Sequence, residues 1–269
     1  ITLPPNCVPL NDQLQRNNVC IQGEGNELVM FAHGFGSNQQ TWQYVLTPIL
    51  AQCRVLLFDY VGAGNSDYSA YSTERYCTLN GYVQDVIDII DAYELEQVTF
   101  VGHSISGVIG ILVSLQRPKA FKKIIMIGSS ACYLNDDGYV GGFNQEELNV
   151  LFQMMEMNFN GWASHLAPIV SSDKESAKVV ETAFKQNDAA IAREFAEVTF
   201  TADVRAYLHD VTVKTVLLQS KDDFIVPMEA SQYLHDHLAS SELIFLDVRG
   251  HYPHLSHPVL TIKHLLDHV

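Results

Sequence analysis

The chain has 269 residues, of which 47% are hydrophobic, and its 16 basic and 31 acidic residues give a net charge of −15. A sequence this long and this apolar can bury a large core, so extensive disorder is not expected, and the length suits one α/β domain with an insertion or two small domains. Because the charge repels phosphate backbones and anionic lipids, and because no apolar run approaches the roughly 18 residues of a spanning helix, neither nucleic acid nor a membrane is expected as a partner.

The five cysteines are odd in number, scattered along the chain and without a C-x-x-C pair. This pattern is typical of mostly buried thiols in a reducing compartment. The sequence does not open with a basic segment and an apolar block, as a secretory signal peptide does. We therefore expect a cytoplasmic protein.

After a polar N-terminal arm over residues 1–16, short β-rich runs alternate with segments of helical period. Several runs are apolar without alternation, as expected for strands covered on both faces, and residues 79–93 carry the apolar stripe of an amphipathic helix. This order predicts an α/β fold with a mainly parallel, doubly wound sheet. The predicted strands are LVMFA (28–32), RVLLFD (54–59), VTFVG (98–102), KIIMIG (123–128), KTVLLQ (214–219) and LIFLDV (243–248).

The alternation is interrupted between about residues 131 and 210, where no run is typical of a strand. Helical patterns fill this block, namely QEELNVLFQMMEMNF, SAKVVETAFKQ and AAIAREFAEVTF. Roughly eighty residues are too many for one crossover connection. We therefore predict a helical insertion over residues 131–210 at one edge of the sheet, and a core formed by residues 17–130 and 211–269.

The stretch VTFVGHSISG puts Ser104 at the corner between a predicted strand and a buried helix. A G-x-S turn at such a corner is the nucleophile elbow, whose strained backbone exposes the serine hydroxyl at the carboxyl end of the sheet. Ser106 replaces the second glycine of the usual motif and is small enough for the close strand–helix approach. The alternative is a serine that only caps a helix. The other parts of the predicted site therefore decide between a nucleophile and a capping residue.

An oxyanion hole needs two backbone N–H donors beside the nucleophile. One belongs to Ile105, the residue after Ser104. The second is expected from the loop after an early strand, where FAHGFGSNQQTW carries glycines that let the backbone turn its N–H groups inward. We assign this donor to Phe35, with an ordinary glycine turn as the alternative.

A general base is expected last in the chain order Ser, acid, His. Of the eleven histidines, His251 follows the last predicted strand in LDVRGHYPHLSHP. His254 and His257 lie nearby as rivals, although a loop or capping role is favoured for both. The base is therefore assigned to His251.

The acid is expected at the end of the preceding strand, where VLLQSKDDFIVP offers Asp222 and Asp223. Such an acid orients the imidazole and stabilises the imidazolium. We choose Asp223 from the D-x-x-x-P pattern that ends at Pro227. Asp222 then remains a turn or surface residue.

These segments together resemble the α/β-hydrolase family, and within it the branch of the bacterial stress-response regulator RsbQ and the plant strigolactone and karrikin receptors. The resemblance rests on LLFDYVGAGNSD, VGHSISG, CYLNDDGYVGGFNQEELN and GHYPHLSHP, and it covers nearly everything after Asn17. It implies an α/β-hydrolase fold with a triad of Ser104, Asp223 and His251.

The resemblance also implies that the insertion is a four-helix cap over a closed apolar pocket. For each aromatic residue of the insertion, a place in the core of the cap is the alternative. The residues implied in the pocket wall are Phe35, Phe143, Leu151, Trp162, Leu166 and Phe200.

Two functions are open at this point. The first is a serine hydrolase that cleaves a small apolar ester or lactone, such as a butenolide, through an acyl-enzyme and without a metal or organic cofactor. The second is a ligand-sensing signalling protein, like a stress-response regulator or hormone receptor, that turns over slowly or once. It would pass a conformational change through the cap to a protein partner.

Overall fold

In the computed structural model, which describes residues 12–269 apart from the side chain of Gln13, the described strands form one sheet. The strands are β1 (Cys20–Gln22), β2 (Leu28–Ala32), β3 (Arg54–Leu57), β4 (Val98–His103), β5 (Phe121–Ile127), β6 (Lys214–Asp222) and β7 (Ser241–Arg249). Across the sheet they lie in the order β1-β3-β2-β4-β5-β6-β7.

The sheet is parallel except at one edge, where β1 pairs with β3 in antiparallel register. All pairings from β3 through β2, β4, β5 and β6 to β7 are parallel. The predicted fold class is therefore confirmed, and each predicted strand is present. Strand β1 was not predicted, because three residues next to a glycine give too short a pattern.

The helices follow the strands in the alternation that the sequence predicts. None of those within residues 12–269 has the length and apolar composition needed to span a bilayer. The core helices are α1 (Asp12–Arg16), α2 (Leu46–Leu50), α3 (Thr73–Tyr76), α4 (Leu79–Ala92) and α5 (Ile105–Gln116). Short 3-10 helices cover Gln39–Trp42, Tyr68–Ala70 and Arg205–Asp210.

Four helices follow β5 before the chain returns to the sheet. They are α6 (Gln145–Met157), α7 (Phe159–Val170), α8 (Lys174–Gln186) and α9 (Ala189–Thr201). The helices after the chain returns to the sheet are α10 (Met228–His237), α11 (Pro253–Ser256) and α12 (Pro258–Leu266). Between residues 131 and 210 the described structure has isolated bridges but no strand. Helix α7 was not among the helical patterns named in the sequence, although its buried residues Trp162, Leu166 and Val170 recur at helical spacing, and it contains Gly161 and Pro168.

Side-chain chemistry accounts for where three of these helices begin. Asn144 accepts a hydrogen bond from the backbone N–H of Glu147, whose carboxylate accepts from the N–H of Asn144, so α6 starts with a capping box. The side chains of Asp173 and Asp188 accept from the first turns of α8 and α9. Such caps satisfy backbone donors that have no partner within the helix.

Neighbouring residues of the central strands alternate between two hydrophobic clusters, one on each face of the sheet. On β2, Met30 belongs to one cluster, whereas Val29 and Phe31 belong to the other. Helices α4 and α5 and the buried residues of α6–α9 share the first cluster, and α2 and α12 cover the second. Burial on both faces explains why the strand sequences lack polar alternation.

The N-terminal arm predicted for residues 1–16 lies mostly outside the described residues. Its last five residues form α1, in which Leu14 is buried. Arg16 pairs with the carboxylates of Asp85 and Asp88 at 3.1 and 2.9 Å. This part of the predicted arm is therefore packed against α4.

The cysteines differ from the predicted set of buried thiols. Cys20 is disulfide-bonded, whereas Cys53, Cys77 and Cys132 are free, and Cys77 is exposed. The buried free thiols of Cys53 and Cys132 agree with the predicted pattern, and the cytoplasmic location stays a prediction.

Candidate active site

Ser104 lies in a strained turn at the carboxyl end of β4, with φ 55° and ψ −123°. A positive φ is uncommon for a residue other than glycine and persists only where the surroundings fix it. Its N–H donates to the carbonyl oxygen of Ile127 at 2.8 Å, and its own carbonyl accepts from Ser129 Oγ at 2.7 Å. Within the described residues its hydroxyl makes no capping bond to α5, so the helix-cap alternative is excluded.

The backbone segments around Ser104 approach so closely that two positions require glycine. A Cβ atom on Gly102 would lie 2.6 Å from the nitrogen of Gly107. A Cβ atom on Gly34 would lie 2.9 Å from His103 Nδ1 and 3.2 Å from Ser104 Cβ. The loop His33–Gly36 therefore lies directly against the nucleophile turn.

Ser106 joins this loop to the start of α5. Its hydroxyl donates to the carbonyl oxygen of His33, and it accepts from the hydroxyl of Tyr60 at 2.8 Å. His33 is two residues before Phe35, so the bond fixes the start of the loop that carries the second predicted N–H donor. The serine that replaces the second glycine of the motif thus has a structural role that the sequence did not indicate.

His251, which follows β7, lies between Ser104 and Asp223. Its Nε2 is 3.0 Å from Ser104 Oγ, and its Nδ1 is 2.8 Å from Asp223 Oδ2. Asp223 Oδ1 accepts from the backbone N–H groups of Ile225 and Val226 at 2.8 and 3.2 Å. Since the carboxylate only accepts, Nδ1 carries the proton and Nε2 accepts from the serine hydroxyl. The three predicted side chains are brought together in the arrangement of a general base and a nucleophile.

The rival residues lie away from the serine. The side chain of Asp222 is 75% exposed and forms an ion pair with Arg249 at 3.6 Å. His254 is buried and stacks on Trp42 with ring centroids 4.4 Å apart, and burial lowers its pKa to about 3. His257 bonds a neighbouring serine hydroxyl. Neither its ring nor the other two side chains bond Ser104 in the described structure.

The backbone of His251 is held from two sides. Its N–H donates to the carbonyl oxygen of Val170, the last residue of α7, at 2.8 Å. Its carbonyl oxygen accepts from His103 Nε2 at 2.7 Å. Burial lowers the pKa of His103, so its ring stays neutral with the proton on Nε2. Strand β4 and helix α7 therefore fix the position of the base jointly, and no sequence motif indicated either contact.

The two predicted oxyanion donors are Phe35 and Ile105. Neither backbone N–H donates to a protein acceptor among the described residues. Ile105 is the first residue of α5, and the first N–H groups of a helix have no intrahelical partner. Phe35 lines the cavity that adjoins Ser104. Two unoccupied donors close to a nucleophile suit an oxyanion hole.

The inner cavity beside Ser104 and His251 is small, with a volume of about 30 Å³. It is lined by Phe35, Leu166 and Phe200 among other side chains. This space holds about two water molecules, whereas pockets for drug-sized ligands start at about 300 Å³. The closed pocket implied by the resemblance is therefore contracted in this structure.

The other predicted pocket residues line a separate outer groove of about 400 Å³. Its walls come from α6, α7 and the half-exposed ring of Phe224, and they include Phe143, Leu151 and Trp162. Leu166 lines both the groove and the inner cavity. The single predicted pocket is thus divided in two, with Leu166 in the shared wall.

Tyr133 is a site residue that the sequence reasoning missed. Its hydroxyl lies 3.2 Å from Ser104 Oγ, and its side chain is 1% exposed. It lies in the segment CYLNDDGYVGGFNQEELN, for which the sequence indicated a family resemblance but no catalytic role for Tyr133. The available signal was its position shortly after β5, because the segments that follow parallel strands meet at the same edge of a sheet.

The chain is similar to known proteins in both sequence and fold. A family model described as "Alpha/beta hydrolase family" matches residues 29–263. Karrikin insensitive 2 receptor CA of Petunia hybrida is 36% identical over 95% of this chain and 96% of its own. Strigolactone esterase D14 of Arabidopsis thaliana is 36% identical over 91% and 93%. A solved hydrolase from Oleispira antarctica has a TM-score of 0.93 and 35% identity, covering 97% of each chain.

Proposed function

The chain belongs to the alpha/beta hydrolase family, and we propose that it is a serine hydrolase that cleaves a small apolar ester or lactone. The observation that carries this proposal is the hydrogen-bonded series from Ser104 through His251 to Asp223, at 3.0 and 2.8 Å. The unoccupied N–H groups of Phe35 and Ile105 support it.

In the proposed reaction, His251 takes the proton of Ser104 while Oγ attacks the carbonyl carbon. Negative charge develops on the carbonyl oxygen, and the N–H groups of Phe35 and Ile105 stabilise it. The imidazolium, stabilised by Asp223, then protonates the leaving oxygen, and the acyl group stays on the serine. A water activated by the same imidazole releases the acid. No metal or organic cofactor takes part in these steps.

The side chains around the site support an uncharged, apolar substrate. Within the described residues, the inner cavity has no Lys, Arg, Asp or Glu in its wall. A charged substrate would lose its hydration there without gaining a partner, which is costly. The relatives named Strigolactone esterase D14 and Karrikin insensitive 2 receptor CA support a lactone such as a butenolide.

We propose that residues 131–210 form a cap whose movement admits this substrate, with residues 17–130 and 211–269 as the core. The inner cavity of about 30 Å³ is too small for a lactone, whereas the outer groove of about 400 Å³ is ligand-sized. A molecule that passes from the groove to Ser104 displaces Leu166. The size of this side chain then governs which acyl groups reach the nucleophile.

Replacing Leu166 with alanine is expected to favour bulky substrates. Truncation joins the groove to the inner cavity, so the ratio of kcat/KM for a bulky ester to that for an acetate ester should rise about tenfold. Kinetics on a series of p-nitrophenyl esters measure this ratio, with melting temperatures to verify folding. Leu151→Ala is the matched control, because Leu151 lines only the groove. An equal change of the ratio in both variants contradicts the role of Leu166.

The alternative function is a ligand-sensing signalling protein whose cap contacts a protein partner. Two observations favour it. A relative is named a receptor, and the hydrogen bond from the His251 N–H to the Val170 carbonyl joins the base to α7. A ligand that moves His251 would shift α7 through this bond, and a partner that moves α7 would shift His251 in the same way.

Counting turnovers distinguishes the two functions. The protein is incubated with excess chromogenic ester or a fluorogenic butenolide, and product is followed per mole of chain together with the melting temperature. Product that far exceeds the amount of protein supports the hydrolase. Release that stops near one equivalent, with a covalent adduct and a shifted melting temperature, supports the sensor.

A further inference from the structure

Two side chains among the described residues hydrogen-bond the Ser104 hydroxyl. One is the imidazole of His251, with Nε2 at 3.0 Å. The other is Tyr133, whose hydroxyl oxygen lies 3.2 Å from Ser104 Oγ. The triad explains the bond from His251, but neither the triad nor the predicted oxyanion hole explains the bond from Tyr133.

The direction of the second bond follows from counting protons. Asp223 accepts from His251 Nδ1, so Nε2 is unprotonated and accepts the single proton of Ser104. Ser104 Oγ can then bond Tyr133 only as an acceptor, and the tyrosine hydroxyl donates. Burial raises the pKa of Tyr133, so its hydroxyl remains protonated while the histidine acts as a base.

The tyrosine is held in place by its own surroundings. Its carbonyl oxygen accepts from the N–H of Phe143 at 3.1 Å, and its ring meets that of Phe200 edge-on with centroids 5.3 Å apart. Within the described residues its hydroxyl bonds no group besides Ser104. The donor is therefore oriented at the nucleophile before a substrate arrives.

We propose that Tyr133 is a further catalytic residue, which stabilises negative charge on Ser104 Oγ; this inference rests on the proposed hydrolase function. In acylation, the Oγ–H bond breaks as the Nε2–H bond forms, the electron pair left on Oγ forms the bond to the carbonyl carbon, and the bond from that carbon to the leaving oxygen breaks as this oxygen takes the proton from Nε2. In deacylation, Nε2 takes a proton from water, the water oxygen forms a bond to the carbonyl carbon, the bond between that carbon and Oγ breaks with its pair returning to Oγ, and Oγ takes the proton from Nε2. Tyr133 keeps its own proton throughout.

The two steps depend on this donor to different extents. The hydroxyl oxygen of free Ser104 already accepts a hydrogen bond from Tyr133 before acylation begins. Because this bond stabilises the starting state as well as the transition state, it does little to lower the barrier to acylation. In the acyl-enzyme, Oγ is an ester oxygen and a weak acceptor, and it becomes a strong one only as the ester bond breaks. Charge-assisted hydrogen bonds are about twice as strong as neutral ones. Loss of the donor should therefore slow deacylation more than acylation.

The test is Tyr133→Phe, studied by stopped-flow hydrolysis of a p-nitrophenyl ester. The burst gives the acylation rate constant and the linear phase gives the deacylation rate constant. We expect deacylation to fall about 10- to 100-fold, as for loss of one hydrogen bond to a charged group, and acylation clearly less, with acyl-Ser104 accumulating in intact mass spectra. Tyr139→Phe is the matched control, because Tyr139 lies in the same segment and its hydroxyl bonds the Cys132 carbonyl at 2.8 Å.

Each outcome supports or overturns the role of Tyr133. Unchanged rate constants, or an equal fall of both as in a merely structural change, overturn it while the wild-type burst leaves the hydrolase intact. A wild-type protein without burst or turnover overturns both proposals. If Tyr133→Phe melts too low for kinetics, 3-fluorotyrosine at position 133 retains the shape with a more acidic hydroxyl. It should then speed deacylation relative to acylation, and an unchanged ratio overturns the role.

Discussion

Replacing Ser104 with alanine is expected to abolish ester hydrolysis, with kcat falling about 10⁶-fold, as when a serine protease loses its nucleophile. The change removes the oxygen that His251 Nε2 contacts at 3.0 Å, so no acyl-enzyme forms. The free energy of unfolding should fall by about 1–3 kcal/mol, because the Tyr133 hydroxyl and His251 Nε2 lose their bonds to Ser104 Oγ, and the fold should remain intact. Steady-state hydrolysis of a p-nitrophenyl ester and thermal unfolding measure both effects.

A serine-directed fluorophosphonate gives a second measurement on the same variant. Wild-type protein should gain one adduct, located at Ser104 by peptide mass spectrometry, and Ser104→Ala should gain none. Ser114→Ala is the matched control, since this buried serine of α5 bonds the Ile111 carbonyl at 2.7 Å within its own helix. It should keep both label and turnover. A label that persists on another residue of Ser104→Ala rejects the assignment of the nucleophile.

The sheet could be predicted from the sequence because its strands are covered on both faces. Runs such as residues 123–128 and 214–219 are apolar enough to stand out between amphipathic helices. Helix α7 was missed, since Gly161 and Pro168 lower helix propensity and weaken a pattern in which Trp162, Leu166 and Val170 still recur at helical spacing.

The residues of the site could be proposed because each of them lies just after a strand. The carboxyl ends of parallel strands meet at one edge of the sheet, so Ser104 and the ends of β6 and β7 had to lie close together. The structure adds the distances that join Ser104, His251 and Asp223. Their catalytic roles remain predictions.

The contacts that residues 131–210 make with the candidate active site could not be predicted from motifs. The bond from Tyr133 to Ser104 and the bond from His251 to Val170 join residues far apart in sequence. The division of the pocket has the same origin, because side-chain packing puts Trp162 at the outer groove and Phe35 at the inner cavity. Such details depend on volumes and rotamers that residue types alone do not specify.

Replacing Asp223 with asparagine is expected to lower kcat about 10⁴-fold near neutral pH, as the same change does in a serine protease. Asp223 Oδ1 accepts from the N–H groups of Ile225 and Val226, so an amide oxygen would take that position. The amide NH₂ group would then face His251 Nδ1 and favour the tautomer with its proton on Nε2. That tautomer cannot accept the proton of Ser104, although the shape of the site is kept.

Asp222→Asn provides the matched control for this change, because the two aspartates are adjacent and only one contacts the base. The side chain of Asp222 is 75% exposed and its ion pair with Arg249 spans 3.6 Å, and exposed pairs contribute little. Its kcat should stay within roughly tenfold of wild type, about 1.4 kcal/mol of barrier. Both variants are measured on one chromogenic ester at equal melting temperature. The reverse ranking assigns the acid to Asp222, and rates near wild type in both require an acid from another strand end.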